Sequence, residues 1–314
     1  MISFNLNLFS KYKSALMGIA TILILLTHAP AYDIVLPYNL NVLLSAAQIG
    51  VLFFFFLSGL GIYYSLDSKQ LLTFSSIISW YKKRLIRLLL PYIVIYGSAH
   101  AILCIDNGWG ILRYVFDIST ISFWFGHSTC WFVNMMIPLY LLSPIWYKLM
   151  NKCRLSIIPT IVVFIVFIAT GNGYFIQASV FFIGFWIGKY VKAGYTISAR
   201  CLLLFFLLVL FALALYYFYG IGYLLLNLLF PVLLLCCVGL NIIRNVHLDN
   251  FLNFWGQISL ESYLFNTTLY IWINSFNLLP EKIYEYRYVF IVILGTILSF
   301  CVHKLLKSII SKVN

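Results

Sequence analysis

The hydrophobic positions of this chain fall into ten long runs separated by short polar stretches. Each run has about the twenty residues that an α-helix needs to cross the hydrocarbon core of a bilayer. The alternating ten-residue segments of a membrane β-barrel do not occur, so the pattern predicts an all-α, polytopic helical bundle with about ten transmembrane helices. The runs lie at residues 14–32, 46–66, 88–105, 131–149, 156–172, 174–190, 201–219, 222–243, 254–276 and 287–310.

The composition agrees with a protein that lives in the membrane. The chain has 314 residues, of which 63% are hydrophobic and 9% charged, and its mean hydropathy of +1.01 lies far above that of water-soluble domains. The first run has no small-residue cleavage site and leads straight into further runs, so we expect a retained helix and not a cleaved signal peptide. Since no linker or low-complexity stretch interrupts the sequence, we expect one membrane domain over residues 1–314.

The net charge of +12 is first of all a topology signal and does not indicate nucleic-acid binding. With the N-terminus in the cytoplasm, all but three of the 20 Lys and Arg residues fall on the cytoplasmic side. By the positive-inside rule, both termini are predicted to be cytoplasmic. The three exceptions, and the acidic residues that share the outer side with them, are Arg113, Lys282, Arg287, Asp33, Asp106, Asp117, Glu281 and Glu285.

The seven cysteines are scattered and lie mostly inside or beside apolar runs. None shows the paired spacing of a zinc site or a redox motif. We therefore interpret them as small apolar residues, and the sequence predicts no metal site.

His28 lies near the end of the first run, in the stretch TILILLTHAP, and is the first candidate for chemistry. It follows Lys11 by 17 residues, roughly 25 Å along a helix, which places it towards the outer leaflet. One interpretation is an amphipathic side chain whose ring reaches interfacial water. The other is a proton acceptor in a cavity among helices, where an imidazole can take a proton from a hydroxyl. Position alone does not choose between them.

Glu261 is the only acidic residue well inside an apolar run. It lies roughly 10 Å from the cytoplasmic end if that helix begins near Phe254. A carboxylate at this depth is costly unless it is paired, protonated or facing water, so a functional role is the default hypothesis. The alternative is a buried structural hydrogen bond to a neighbouring helix.

The segment WYKKRLIRLLLPYIV places four basic residues, Lys82, Lys83, Arg84 and Arg87, at the cytoplasmic entrance to the third helix. One interpretation is a topology anchor that also attracts anionic lipid. The other is a phosphate site, because Arg84 and Arg87 share a helix face and arginine makes bidentate phosphate contacts. The phosphates of coenzyme A would suit such a site.

Two further segments have both a structural and a functional interpretation. In the segment SGLG, Gly59 and Gly61 lie in mid-membrane, where small residues let another helix or a ligand come close. Trp131 and Phe132 are typical of an interfacial aromatic anchor. His127 precedes them in the long outer loop and could line an entry route for an acceptor.

Five segments share a pattern with a known family: MGIATILILLTH (Met17–His28), FFFFLSG (Phe53–Gly59), KKRLIRLLLPY (Lys82–Tyr92), WFVNMMIPLYLLSP (Trp131–Pro144) and GQISLESYLFN (Gly256–Asn266). Taken in order, they resemble the integral-membrane acyltransferase family 3, whose members mostly O-acetylate bacterial surface polysaccharides. The resemblance runs over most of the chain and implies ten helices. Three positions depart from the family pattern: Met17 stands where a basic residue is usual, Leu52 where many members have aspartate, and Asn266 where histidine is common.

This resemblance implies an acetyl-CoA-dependent O-acetyltransferase in the bacterial inner (cytoplasmic) membrane, with a cell-envelope polysaccharide or lipid-linked glycan as acceptor. The CoA phosphates would dock near Lys83, Arg84 and Arg87. His28 would deprotonate the acceptor hydroxyl or transiently carry the acetyl group, and Glu261 would orient the histidine or line the channel. The expected partners are an acyl-CoA, the glycan and the lipid bilayer, with no nucleic acid.

Two other classes of protein fit parts of the sequence. In a multi-pass transporter or flippase of an envelope glycan or lipid, His28 and Glu261 would be proton-relay or substrate-binding groups. The sequence shows no pair of matched, glycine- or proline-broken half-helices, which counts modestly against that class. A structural membrane partner in envelope assembly would tolerate the loss of both residues.

Overall fold

The computed structural model describes residues 2–29, 44, 46–69, 74–126, 130–152, 157–219, 229–276, 278 and 286–313. Helices dominate this part of the chain, and each of the ten predicted runs overlaps at least one, which confirms the all-α prediction. The helices, numbered in chain order, are α1 Leu8–Lys11, α2 Lys13–His28, α3 Ile49–Lys69, α4 Phe74–Pro91, α5 Ser98–Asp106, α6 Ile111–Ile118, α7 Trp131–Lys152, α8 Ile157–Ala169, α9 Gly173–Lys192, α10 Ala199–Tyr219, α11 Leu229–Ile243, α12 Val246–Gln257, α13 Ser259–Ser275 and α14 Arg287–Val313.

Shorter elements complete the described architecture. A π-helix over Tyr92–Gly97 joins α4 to α5, and a 3₁₀-helix covers Ser122–Phe125. Strands β1 (Ser3–Asn5) and β2 (Thr196–Ser198) pair antiparallel, with Phe4 opposite Ile197. These strands join the N-terminal segment to the start of α10.

Five helical segments in the described part are long and apolar enough to cross a membrane. Three shorter apolar helices, α2, α8 and α11, accompany them. The chain is therefore a multi-pass membrane protein of helical type. The five long segments are Ile49–Ser68, Phe74–Asp106, Gly173–Lys192, Ala199–Phe218 and Arg287–Ser311.

The third predicted run, residues 88–105, corresponds to the helical segment that starts with α4. This segment begins at Phe74, 14 residues before the predicted start at residue 88. Hydropathy counts the basic residues of this segment against a membrane helix, but lysine and arginine are good helix formers. The π-helix follows Pro91 directly, where the missing proline N–H interrupts the regular i→i−4 ladder. The α4–π–α5 segment is 33 residues long, so it exceeds the roughly 20 residues that span a bilayer.

The described chain separates into two compact units. The first comprises Met1–Thr27, Leu36–Gln70 and Ser143–Gln257, and the second His28–Val35, Leu71–Leu142 and Ile258–Asn314. The prediction of a single domain is not tested by this division, since both units belong to one continuous helical chain.

In the first unit, α3 and α9 pack through reciprocal glycine contacts. A Cβ atom added at Gly59 would overlap the backbone carbonyl of Phe181, and one added at Gly184 would overlap that of Phe56. Small residues at such crossings allow two backbones to approach closely, and in lipid this close packing drives helix association. The helix-packing interpretation of Gly59 is therefore confirmed.

In the second unit, α13 is the central helix. It packs against α14, α5, the π-helix and α4. Because neighbours surround it, α13 can carry polar side chains that would be costly against lipid, and these residues form the candidate site.

Candidate active site

Helix α13 buries an unusual set of polar side chains. Glu261 is 5% exposed and Asn266 2% exposed, although both lie in a helix of a membrane protein. Buried polar groups require hydrogen-bond partners, and those of Glu261 and Asn266 come from other parts of the second unit. The full set of buried polar residues on this helix is Ser259, Glu261, Ser262, Asn266 and Thr268.

Asn266 contacts His28, the last residue of α2. The amide Nδ2 of Asn266 lies 2.9 Å from Nδ1 of the imidazole, and the His28 side chain is half-buried. The contact orients the ring through Nδ1, so a reacting group would meet the imidazole at Nε2. The structure thus places the predicted histidine against a buried polar side chain of the central helix.

The identity of the Asn266 atom that faces Nδ1 determines which ring nitrogen carries the proton. When Nδ2 donates to Nδ1, a neutral imidazole carries its hydrogen on Nε2. When the amide turns by half a revolution about its last torsion angle, Oδ1 accepts from Nδ1–H and the Nε2 lone pair becomes the base. An asparagine can support either state, whereas a carboxylate at this position could only accept.

Glu261 contacts a different histidine from the one that the sequence suggested. Its Oε1 lies 3.0 Å from Nδ1 of His303 on α14, and the His303 side chain is 28% exposed. A partner of this kind explains how a carboxylate is held at this depth. The contact fits both interpretations of Glu261, a structural hydrogen bond and a functional group, so its catalytic role stays a prediction.

Two of the four basic residues of α4 line a groove between α4 and α14. Lys83, a predicted cofactor residue, lies in this groove together with Lys82, whereas Arg84 and Arg87 are not among its lining residues. The groove has a volume of about 490 Å³. Its ammonium and hydroxyl groups are donors suited to phosphate, and its apolar wall suits a hydrocarbon chain. Its other lining residues are Phe74, Ser75, Ile78, Ser79, Ile86 and Ile310.

In the first unit, Lys13 lies four residues before Met17 on α2 and therefore shares its helix face. A Cβ atom at Gly61 of α3 would overlap the Lys13 ammonium group. Gly61 thus provides space for a side chain, while Gly59 provides space for a backbone. A basic group is present one turn from the position where the family usually has one.

Sequence reasoning missed Asn266 and His303 as partners of the two candidate residues. Asn266 was visible only as a departure from the family pattern, and His303 as an ionisable residue inside the last apolar run, which is itself a signal of function in a membrane. The predicted entry-route residue His127 lies outside the described residues. Within the described ranges no group of three or more His, Cys, Asp or Glu side chains could hold a metal ion.

Comparison with known proteins identifies the class of protein. The family model of acyltransferase family 3, described as an acyltransferase domain, matches residues 15–304. The protein belongs to this family, and it is a membrane-bound acyltransferase. The resemblance of the five sequence segments is thereby confirmed. No curated protein and no solved structure matches the chain.

Proposed function

We propose that this acyltransferase moves an acetyl group from cytosolic acetyl-CoA to a hydroxyl of a cell-envelope polysaccharide or of a lipid-linked glycan. The observation that carries the proposal is the imidazole of His28, held at Nδ1 by the buried amide of Asn266. Acyl transfer to an alcohol requires a base for the hydroxyl proton, and histidine is the side chain best suited to this task near neutral pH.

In the proposed reaction, Oδ1 of Asn266 accepts from Nδ1–H of His28, so that Nε2 can accept the proton of the acceptor hydroxyl while the oxygen attacks the thioester carbonyl. The carbon–sulfur bond then breaks, and the proton passes to the departing thiolate, so that the products are an acetyl ester and free CoA. A variant of this route first forms an acetyl-imidazole at His28. Both routes need His28, and both leave the Asn266 contact in place to orient the ring.

The groove between α4 and α14 supports a place for the donor. Lys82 is exposed and Lys83 half-buried. Both line the groove and together offer two positive charges to the phosphates of CoA. Arg84, the residue after Lys83, and Arg87, about one turn further along the helix, would meet parts of the cofactor outside the groove. Glu261, paired with His303, would then lie along the route between the cytoplasm and His28.

The proposed topology has ten membrane-spanning helices, cytoplasmic termini and a location in the bacterial inner membrane. The distribution of Lys and Arg in the sequence supports this orientation. Helix α2 then rises from Lys13 at the cytoplasmic side to His28, roughly 22 Å further along its axis. A basic groove at one side and a histidine towards the other suit an enzyme that passes an acyl group outward.

Replacement of His28 tests the proposal. His28→Ala should abolish acetylation of the envelope glycan in a deletion strain that expresses the variant at the wild-type level, because either route needs the imidazole. Mass spectrometry of the isolated polysaccharide measures the loss of acetyl groups and identifies the acceptor sugar. His247→Ala is the matched control, since His247 is an exposed histidine of the first unit. Acetylation that persists in the His28 variant would remove this residue from the mechanism.

A further inference from the structure

Helix α6 exposes apolar residues and buries a charged one, the reverse of a surface helix in a soluble protein. Ile111, Leu112 and Val115 are exposed, whereas Asp117 is only 2% exposed. In a membrane protein such a helix presents its apolar face to lipid and its polar face to the interior. Asp117, an ionisable residue buried in this way, is therefore a candidate for a functional site.

Asp117 is held by two donors of the second unit. Its Oδ2 accepts from Arg113 Nε at 2.7 Å and lies 3.0 Å from His100 Nε2. The buried hydroxyl of Ser122 donates to the backbone carbonyl of Asp117. These contacts fix the carboxylate and engage one of its two oxygens.

The second carboxylate oxygen is not satisfied. Oδ1 of Asp117 is buried and has no hydrogen-bond partner among the described residues. Leaving a buried acceptor without a donor is costly, more so when the group belongs to a charged side chain. The hydroxyl of Tyr92 in the π-helix is also buried, and it too has no hydrogen-bond partner among the residues that the structure describes.

Aromatic rings surround this cluster. The rings of Tyr92, Tyr96 and His100 are stacked, with centroids 5.1 and 5.7 Å apart and interplanar angles of 10°. Trp109 lies at the exposed turn between α5 and α6, with its ring 6.4 Å from His100 and 5.4 Å from the guanidinium of Arg113. The indole is 44% exposed, so it is accessible from the surface.

We propose that this cluster, the Asp117 site, binds a polyol such as a hexose unit of the acceptor glycan. A cation is disfavoured by Arg113, and an anion by Asp117, but a neutral hydroxyl can donate to Oδ1 of Asp117. The C–H face of a sugar ring can pack on the exposed indole of Trp109. The identification of this polyol as the acceptor rests on the proposed function, in which α6 lies on the outer side.

Binding of methyl glycosides of common hexoses to the full-length protein in nanodiscs tests the site directly. Saturation-transfer NMR should show binding to the wild type. Asp117→Asn should weaken binding about tenfold or more, because an amide can place a donor where the hydroxyl needs an acceptor. Asp106→Asn is the matched control and should leave binding unchanged. Asp106 is an exposed carboxylate at the end of α5, where it accepts a hydrogen bond from Ser275.

Trp109→Ala keeps the test decisive if Asp117→Asn does not fold. The exposed turn of Trp109 tolerates truncation, and loss of the ring should weaken glycoside binding about fivefold. Wild-type protein that binds no glycoside, or glycoside binding that neither variant changes, would overturn the proposal. Equal weakening by Asp106→Asn would also overturn it.

The acetyl-transfer reaction separates this proposal from the proposed function. If Asp117→Asn raises the KM for the acceptor while the KM for acetyl-CoA is unchanged, both proposals are supported. If glycoside binding depends on Asp117 but no acetyl group is transferred, the Asp117 site stands and the proposed function fails. If acetyl transfer occurs with an acceptor KM that Asp117→Asn leaves unchanged, the function stands and the site fails.

Discussion

Replacing Asn266 with leucine removes the side chain that contacts His28 Nδ1 while keeping a side chain of similar size on α13. The two residues are 238 positions apart in the sequence, so the contact exists only because the folded chain brings the end of α2 to the central helix. The variant therefore tests whether the observed geometry supports the chemistry at His28. We expect transfer activity to fall although the catalytic histidine itself is intact.

The size of the effect follows from burial. Asn266 is 2% exposed, so water cannot easily replace its amide at the ring. Leaving one buried polar partner unsatisfied costs about 1–3 kcal/mol, and each 1.36 kcal/mol is a factor of ten. If this cost falls on the transition state, kcat/KM should drop about 5- to 150-fold. Asn266→Asp should retain most of the activity, because the carboxylate can accept from Nδ1–H and leave Nε2 as the base.

The assay follows release of free CoA thiol from acetyl-CoA in the presence of envelope glycan, with mass spectrometry of the acetylated product. Thr268→Val is the matched control, because Thr268 is also buried on α13 but its hydroxyl donates to the carbonyl of Leu264. It should leave kcat/KM nearly unchanged. Wild-type activity in Asn266→Leu, with unchanged protein level, would refute the idea that this amide orients the catalytic ring.

Two further predictions concern the donor groove and the helix packing. Replacing both Lys82 and Lys83 with glutamine should raise the KM for acetyl-CoA about 30-fold at low salt, at about 1 kcal/mol per charge. The increase should be smaller at high salt, because salt screens the charges. Lys148→Gln removes an exposed charge elsewhere on the predicted cytoplasmic side and should leave this KM unchanged. Gly59→Ala should lower the thermal unfolding temperature in detergent, because the added Cβ would overlap a backbone carbonyl of α9. Gly239→Ala has open space around the added atom and should leave the unfolding temperature unchanged. Each prediction is contradicted if its measured quantity, the KM or the unfolding temperature, responds equally to the variant and to its control.

The helices were predictable because lipid imposes a simple rule. A spanning segment must satisfy its own backbone and present apolar side chains, so runs of hydrophobic residues in the sequence correspond to helices in the structure. The start of α4 escaped the rule because Lys82, Lys83, Arg84 and Arg87 interrupt the apolar pattern while still favouring a helix. The break between α12 and α13 at Ile258 also has no hydropathy signal, since the residues on both sides of it continue an apolar pattern.

The candidate site was predictable residue by residue but not as an arrangement. His28 and Glu261 stand out because ionisable groups in apolar runs are rare. Their partners are set by tertiary contacts: Asn266 is 238 residues from His28, and His303 is 42 residues from Glu261. Asp117 was assigned only to the outer side, because a short amphipathic helix does not reveal which of its faces is buried.

The polar interior of α13 has a consequence for how this chain enters its membrane. Its buried Glu261 and Asn266 would each be expensive against acyl chains, so α13 has little affinity for the bilayer by itself. The side chain that covers Glu261 belongs to α14, which leaves the ribosome later. The two helices are therefore best inserted as a hairpin, with the later helix serving as the cover that lets the preceding one remain in the lipid.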